Sequence, residues 1–188
     1  MKKGILAVSL LGLVSLQSGS TTHAASDVAL FPDDKGAKIV TTSSQFDEMA
    51  GNSENYSGHE MKIAGAVVSI DHTAEGYLVL ARWLPYPKTT NVDQPPQVGQ
   101  TDDSRHFLIR FVGKRKREFY TTRGNKFLLE GTVVGTKKEL VNVFGPEKNL
   151  LYVNTKCVKI WETGQDEDTG SQRDVEYPPV RQRTLCAD

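Results

Sequence analysis

The densest group of side chains that could do chemistry is a cluster of basic residues in the second half of the chain. Its members are Arg110, Lys114, Arg115, Lys116, Arg117 and Arg123. Ammonium and guanidinium groups at this density can contact phosphate-bearing lipid headgroups or a nucleic-acid backbone. The alternative interpretation is a solvated turn between two strands. We therefore treat the cluster as a candidate contact for an anionic surface.

Aromatic residues near this cluster leave two interpretations open. Phe107, Phe111, Phe119 and Tyr120 could offer stacking platforms for nucleic-acid bases. Phe107 and Phe111 are four residues apart, however, and side chains at even spacing share one face of a strand. That spacing suits a hydrophobic core equally well.

Signatures of catalysis or metal binding are sparse. The chain has no Gly-x-Ser-x-Gly elbow, no His-Glu-x-x-His motif and no glycine-rich phosphate loop before a helix. His59, His72 and His106 lack the short spacing typical of metal ligands. Glu130 is the best single candidate for an acid carried on a strand, and its alternative is an outward-facing charge. We therefore predict a non-enzymatic protein with no catalytic residue, no metal and no cofactor.

The first 24 residues have the features of a secretory signal. Lys2 and Lys3 precede an uncharged, mostly apolar run over residues 5–16, and Thr22-His23-Ala24 offers small residues for cleavage after Ala24. The apolar run is shorter than the roughly 20 residues that a membrane-spanning helix needs. A buried N-terminal helix is the alternative. We predict an exported chain.

Two cysteines, Cys157 and Cys186, follow the predicted leader. In an oxidising compartment, two cysteines most simply form one disulfide. The alternative is a pair of unrelated thiols. A zinc site is disfavoured, because neither residue has a second Cys or His within a few positions.

The chain length of 188 residues suits one domain with tails, and 23 basic residues balance 23 acidic ones. No overall electric field therefore directs the protein to nucleic acid or to an anionic membrane. We predict a signal peptide at 1–24, a connector at 25–44, a β-barrel domain at 45–162 and a polar C-terminal tail at 163–188.

Within the predicted domain, the hydrophobic pattern indicates mainly β-structure after a short helix that begins near Ser44. The predicted strands cover residues 61–70, 77–84, 106–112, 126–135 and 150–161, and residues 138–143 could pair back with the fourth. Such strands, with glycines inside them, favour a small antiparallel OB-like barrel of five to six strands. A two-sheet sandwich is the alternative.

Short motifs along residues 46–162 carry a resemblance to a known family. They are Tyr56-Ser57-Gly58, Ile63-Ala64-Gly65-Ala66-Val67-Val68, Leu78-Val79-Leu80, Trp83-Leu84-Pro85, Arg105-His106-Phe107, Gly124-Asn125-Lys126, Leu128-Leu129-Glu130-Gly131 and Val158-Lys159-Ile160-Trp161. In order and spacing they resemble the Slp family of bacterial outer-membrane lipoproteins. The resemblance implies an outer-membrane-associated, periplasm-facing protein with no assigned enzymatic activity.

The chain departs from that family at the lipid anchor. Family members would be acylated on a cysteine just after the apolar run of the signal, whereas Leu16-Gln17-Ser18-Gly19-Ser20 contains none. A thioether to diacylglycerol requires a sulfur, so the sequence does not support the anchor here.

These observations together predict a cell-envelope protein with a structural or binding role, located in the periplasm or at the outer membrane. Its expected partner is the outer membrane or another envelope protein, with no nucleic acid and no small-molecule substrate identified. The alternative is a secreted OB-type protein that binds nucleic acid or another anionic ligand.

Overall fold

The computed structural model describes residues 36–74, 76–87, 94–97, 104–111, 123–142, 144–164 and 180–186. The predicted signal peptide, the four consecutive basic residues Lys114, Arg115, Lys116 and Arg117, and most of the predicted C-terminal tail lie outside these ranges. The described part of the chain is mainly β-structure, as predicted.

Seven strands and one α-helix follow one another along the described chain. They are β1 (Lys38–Ile39), α1 (Ser43–Gly51), β2 (Glu60–Thr73), β3 (Gly76–Leu84), β4 (His106–Phe111), β5 (Lys126–Leu140), β6 (Glu147–Trp161) and β7 (Gln182–Cys186), with a 3-10 turn at Ser53–Tyr56 between α1 and β2. The five predicted strands correspond to β2 to β6. The structure extends β5 and β6 into one long hairpin, and residues 182–186 of the predicted tail form a strand.

Five of the strands close into a barrel in the order β2, β3, β4, β6, β5, because β5 also pairs with β2. This five-stranded barrel confirms the predicted OB-like architecture and excludes the two-sheet sandwich. The remaining strands lie at its edges, where β1 pairs with β2 and β7 pairs with β6.

One pair of neighbouring strands departs from the predicted antiparallel pairing. β4 and β6 run parallel, from Phe107 opposite Leu151 to Arg110 opposite Asn154. The reason is parity. Strand direction cannot alternate all the way around a closed ring of five, so one neighbouring pair has to be parallel. The barrel is therefore mixed.

The barrel interior is filled by apolar side chains that alternate along the strands. They include Met61, Ile63, Val67, Val79, Ala81, Trp83, Phe107, Ile109, Phe127, Leu129, Val133, Leu151, Val153, Val158 and Ile160. Gly65 on β2 leaves room for this packing, because a Cβ there would lie 2.7 Å from Cζ of Phe127 and 2.8 Å from the carbonyl oxygen of Arg82. A glycine inside this strand is thus a packing requirement.

The helix α1 covers the barrel with one apolar face. Phe46 and Met49 are buried, and the Phe46 ring lies 5.6 Å from that of Trp83, centroid to centroid. Its N-terminus is capped by Thr42, two residues before the predicted Ser44, in a capping box with Gln45. No helix among the described residues is long and apolar enough to span a bilayer.

An ion pair fastens α1 to the start of β4. Both carboxylate oxygens of Asp47 accept hydrogen bonds from the Arg105 guanidinium at 2.8 Å. This pairing holds the pKa of Asp47 below its usual range, since the hydrogen bond favours the charged carboxylate. The carbonyl of Arg105 also accepts from the Trp83 backbone N–H at 2.8 Å. The helix therefore fixes the backbone that leads into His106.

Candidate functional site

A cavity of about 180 Å³ lies on the outer side of the barrel, where β2, β3 and β4 meet the segment that leads into β5. It is lined by Ala66, Val67, Val68, Arg82, His106, Arg123 and Gly124. We call it the basic cavity, because its charged lining residues within the described chain are two arginines. A water molecule occupies about 30 Å³ of liquid, so the space accommodates a phosphate-sized or carboxylate-sized group.

Strand register brings two of these residues side by side. Arg82 on β3 lies directly opposite His106 on β4 and, on its other side, opposite Ala66 on β2. The neighbours of Arg82 along the chain, Ala81 and Trp83, are buried in the core. Because successive side chains on a strand point to opposite faces, Arg82 and His106 share the outer face.

The third basic residue, Arg123, lies in a turn that hydrogen bonds to β2 and to Thr163 hold in place. The Gly124 N–H donates to the Val67 carbonyl at 2.8 Å, and the Val67 N–H donates to the Asn125 carbonyl at 2.9 Å. On the other side, the Thr163 hydroxyl donates to the Gly124 carbonyl at 2.9 Å. Arg123 itself is exposed, so it lines the cavity on the side that faces solvent.

His106 contributes a polar edge to the same space. Its ring Nδ1 lies 3.1 Å from the carbonyl oxygen of Ser104, which places the proton on Nδ1 in the neutral ring. Protonation at Nε2 would add a third positive charge to the cavity. Two guanidiniums and an imidazole in one space are suited to bind an anion.

The structure divides the predicted basic cluster. Arg123 lines the basic cavity, whereas Arg110 lies four residues beyond His106 on β4, opposite Leu78. Sequence reasoning missed Arg82 and did not assign His106 to a binding site. The alternation of residues 77–84 indicates that Arg82 points outward, but its pairing with His106 depends on strand register.

The aromatic residues offered as stacking platforms belong in part to the core. Phe107 and Phe111 are 0% and 3% exposed and point into the barrel. Phe119 and Tyr120 lie outside the described residues. The interpretation of Phe107 and Phe111 as core residues is therefore correct.

The predicted disulfide is present. Cys157 on β6 and Cys186 on β7 are bonded, with their Cα atoms 3.9 Å apart and a sequence separation of 29. The bond ties β7 to β6 at one end of their five-residue ladder. Neither sulfur is a free thiol, so the pair is structural.

A second charged group lies between β2, β5 and β6. Glu130 is 1% exposed, and its Oε1 lies 3.1 Å from Nζ of Lys156, which lies 3.3 Å from Oε1 of Glu60. The Glu130 carboxylate, together with that of Glu60, raises the pKa of Lys156. Glu130 does point away from the core, as predicted, but it is buried. Among the described residues, no group of three His, Cys, Asp or Glu could hold a metal ion. We interpret Glu130, Lys156 and Glu60 as an ion cluster that joins the strands.

Comparisons of the chain with protein-family models, curated proteins and solved structures found no match. The resemblance to the Slp family stays a prediction, and functional inference starts from the cavity and its charges.

Proposed function

We propose that this chain is an exported, non-enzymatic protein of the bacterial cell envelope that binds an anionic group in the basic cavity. The predicted signal peptide and the resemblance to the Slp family support the location. The convergence of Arg82, His106 and Arg123 on one phosphate-sized cavity carries the binding role.

The chemistry of the lining favours binding over catalysis. Guanidinium groups present planar pairs of N–H donors that match carboxylate and phosphate oxygens. Apart from the two arginines and the His106 imidazole, the described lining is apolar or glycine, and it offers no hydroxyl, thiol or carboxylate that could act as a nucleophile. The lining therefore supports electrostatic binding of an anion better than covalent chemistry.

A nucleic-acid ligand is the second candidate, since OB-type barrels bind oligonucleotides on the face of their second and third strands. Arg82, His106 and Arg110 lie on β3 and β4, which are those strands in this barrel. Against this candidate, Leu80 and Leu108 between the charged residues are buried, at 5% and 1% exposure. That face offers little area for stacked bases, so we favour a small anion.

Neutralising the two arginines of the cavity should weaken binding of inorganic phosphate. A charge-assisted hydrogen bond contributes about 1.5–3 kcal/mol. Arg82→Gln and Arg123→Gln should therefore each raise the dissociation constant by roughly tenfold to a hundredfold. Isothermal titration calorimetry of the exported protein with phosphate measures this constant.

Arg110→Gln is the matched control, because it removes an equal charge from the same strand as His106 but outside the cavity. Its affinity for phosphate should stay near that of the unmodified protein. An equal loss in all three variants would show general surface attraction and would contradict a defined site. Tighter binding of single-stranded DNA than of phosphate, with a steep salt dependence, would favour the nucleic-acid candidate.

The location makes a separate prediction. The protein should be recovered from the cell envelope as a chain that begins at Ala25 and carries no acyl mass, because residues 16–20 contain no cysteine. Fractionation followed by intact-mass spectrometry tests both points. A species heavier by fatty-acyl chains, or a chain that retains residues 1–24 in the cytoplasm, would contradict the proposal.

A further inference from the structure

The outer part of the β5–β6 hairpin extends beyond the ladders that join it to the other barrel strands, and Val141 near its tip packs against the apolar cluster of Leu78, Leu80, Leu108 and Leu150. In the described chain, β2 pairs with β5 only as far as Thr132, and β4 pairs with β6 only from Leu151 onward. The pairs from Lys137 opposite Leu150 to Leu140 opposite Glu147 therefore have only each other as strand partners. Four pairs extend about 13 Å at the rise of a β-strand. We call this part, with its tip, the hairpin arm.

The tip of the hairpin arm presents a phenylalanine to solvent. Phe144 is 96% exposed, and Leu140 beside the tip is 46% exposed. The Phe144 backbone N–H donates to the side-chain oxygen of Asn142 at 3.2 Å, and the Gly145 N–H donates to the Asn142 carbonyl at 2.9 Å. These bonds form a defined turn that holds the backbone of Phe144, so its ring is displayed at the far end of the arm.

Basic residues stand behind this tip. Lys137, Lys138 and Lys148 are exposed on the arm. Lys148 lies opposite Glu139 across the ladder, so that pair is close to neutral. Nζ of Lys137 lies 5.7 Å from the centre of the Tyr152 ring, and because Tyr152 pairs with Gly135 this contact directs Lys137 toward the barrel, whereas Lys138 is exposed on the arm itself. The arm thus combines an aromatic tip with a net positive charge, because its three lysines outnumber its two acidic residues, Glu139 and Glu147.

The small apolar area of the tip decides between a protein and a lipid surface. A specific protein interface buries about 800 Å² on each partner, whereas one aromatic side chain offers about 150–250 Å². Phe144 and Leu140 together fall well short of a protein interface. A bilayer requires no complementary surface, and at its interfacial region an aromatic ring and flanking lysines bind without a matching pocket.

We propose that the hairpin arm is a membrane-contact device. Phe144 enters the interfacial layer of a bilayer that contains anionic lipid, and Lys138 lies against the headgroups. This contact is independent of the basic cavity, which lies where β2, β3 and β4 meet the segment before β5, and it does not rest on anion binding there.

Vesicle binding by the exported protein tests the proposal. The protein should co-sediment with mixed phosphatidylethanolamine–phosphatidylglycerol vesicles and more weakly with phosphatidylcholine vesicles. Phe144→Ser should lower the partition coefficient about tenfold, because the apolar ring no longer leaves water. Ile39→Ser is the matched control, since Ile39 is an apolar residue that is 43% exposed on β1, away from the arm, and its loss should leave binding unchanged.

Phe144→Trp gives a direct report of insertion. Trp83 and Trp161 are 1% and 0% exposed, so their emission should stay constant and the added indole should shift to the blue on vesicles. The proposal is overturned if the unmodified protein does not bind, if Phe144→Ser binds equally well, or if binding occurs without the blue shift. Self-association that disappears in Phe144→Ser would identify a second copy as the occupant and would also overturn it.

Discussion

Removing the disulfide is expected to lower the free energy of unfolding by about 3–4 kcal/mol, according to the chain-entropy relation for a closed loop of this length. Cys186 lies 29 positions after Cys157, and the bond restricts the conformations available to the unfolded chain. The structure adds a local reason. The residues of β7 are largely exposed, so apart from its backbone ladder with β6 little apolar burial holds this strand in place.

Urea unfolding of Cys157→Ala/Cys186→Ala, and of the unmodified protein with and without reductant, measures this effect. Arg183→Gln is the matched control on β7, because it removes a partly exposed ion pair with Glu162 at 3.5 Å and leaves the disulfide in place. Such a pair contributes about 1 kcal/mol or less. Equal stability of the oxidised and reduced proteins, or two thiols that alkylate before reduction, would contradict the expectation.

The strands of the barrel could be predicted because the hydrophobic pattern that identifies each strand lies within the strand's own residues. The period-two pattern of residues 77–84 and 106–112 marks β3 and β4 within about one residue. The parallel pairing of β4 with β6 could not be predicted in this way, since it depends on which strands become neighbours when the ring closes. The helix begins earlier than predicted, because Thr42 and not Ser44 is its N-cap. Ser44 and Thr42 are both good capping residues, and the contact of Gln45 with Thr42 decided between them.

The candidate site was predictable only in part. Arg123 drew attention because basic residues are dense around it, whereas Arg82 stands alone in an apolar strand. Arg82 and His106 are 24 residues apart along the chain, and they become neighbours only because β3 and β4 pair in this register. Glu130 illustrates a different limit. Alternation predicts that it faces away from the core, but its burial depends on the neighbouring strands and on Lys156.

Replacing Gly131 with alanine is expected to destabilise the barrel by about 3 kcal/mol, at the upper end of the cost of overpacking. A Cβ at this position would lie 2.4 Å from the backbone oxygen of Asn154 and 2.8 Å from Cγ1 of Val153. The first atom belongs to the ladder of β6 and cannot rotate away. The strand pairing has to open beside the bulge at Glu130 and Gly131, where Lys156 also meets Glu130.

Denaturant unfolding of Gly131→Ala, followed by near-ultraviolet circular dichroism, measures the loss. Gly51→Ala is the matched control, because the same methyl group at the end of α1 has no atom within 4 Å and the backbone there does not need a positive φ. Alanine also favours helix over glycine by up to about 1 kcal/mol, so the control should be as stable as the unmodified protein or slightly more stable. If Gly131→Ala unfolds at the same urea concentration as Gly51→Ala, then β5 and β6 do not approach each other as closely as the structure shows. A loss confined to Gly131→Ala would support the close approach of these two strands in the closed barrel.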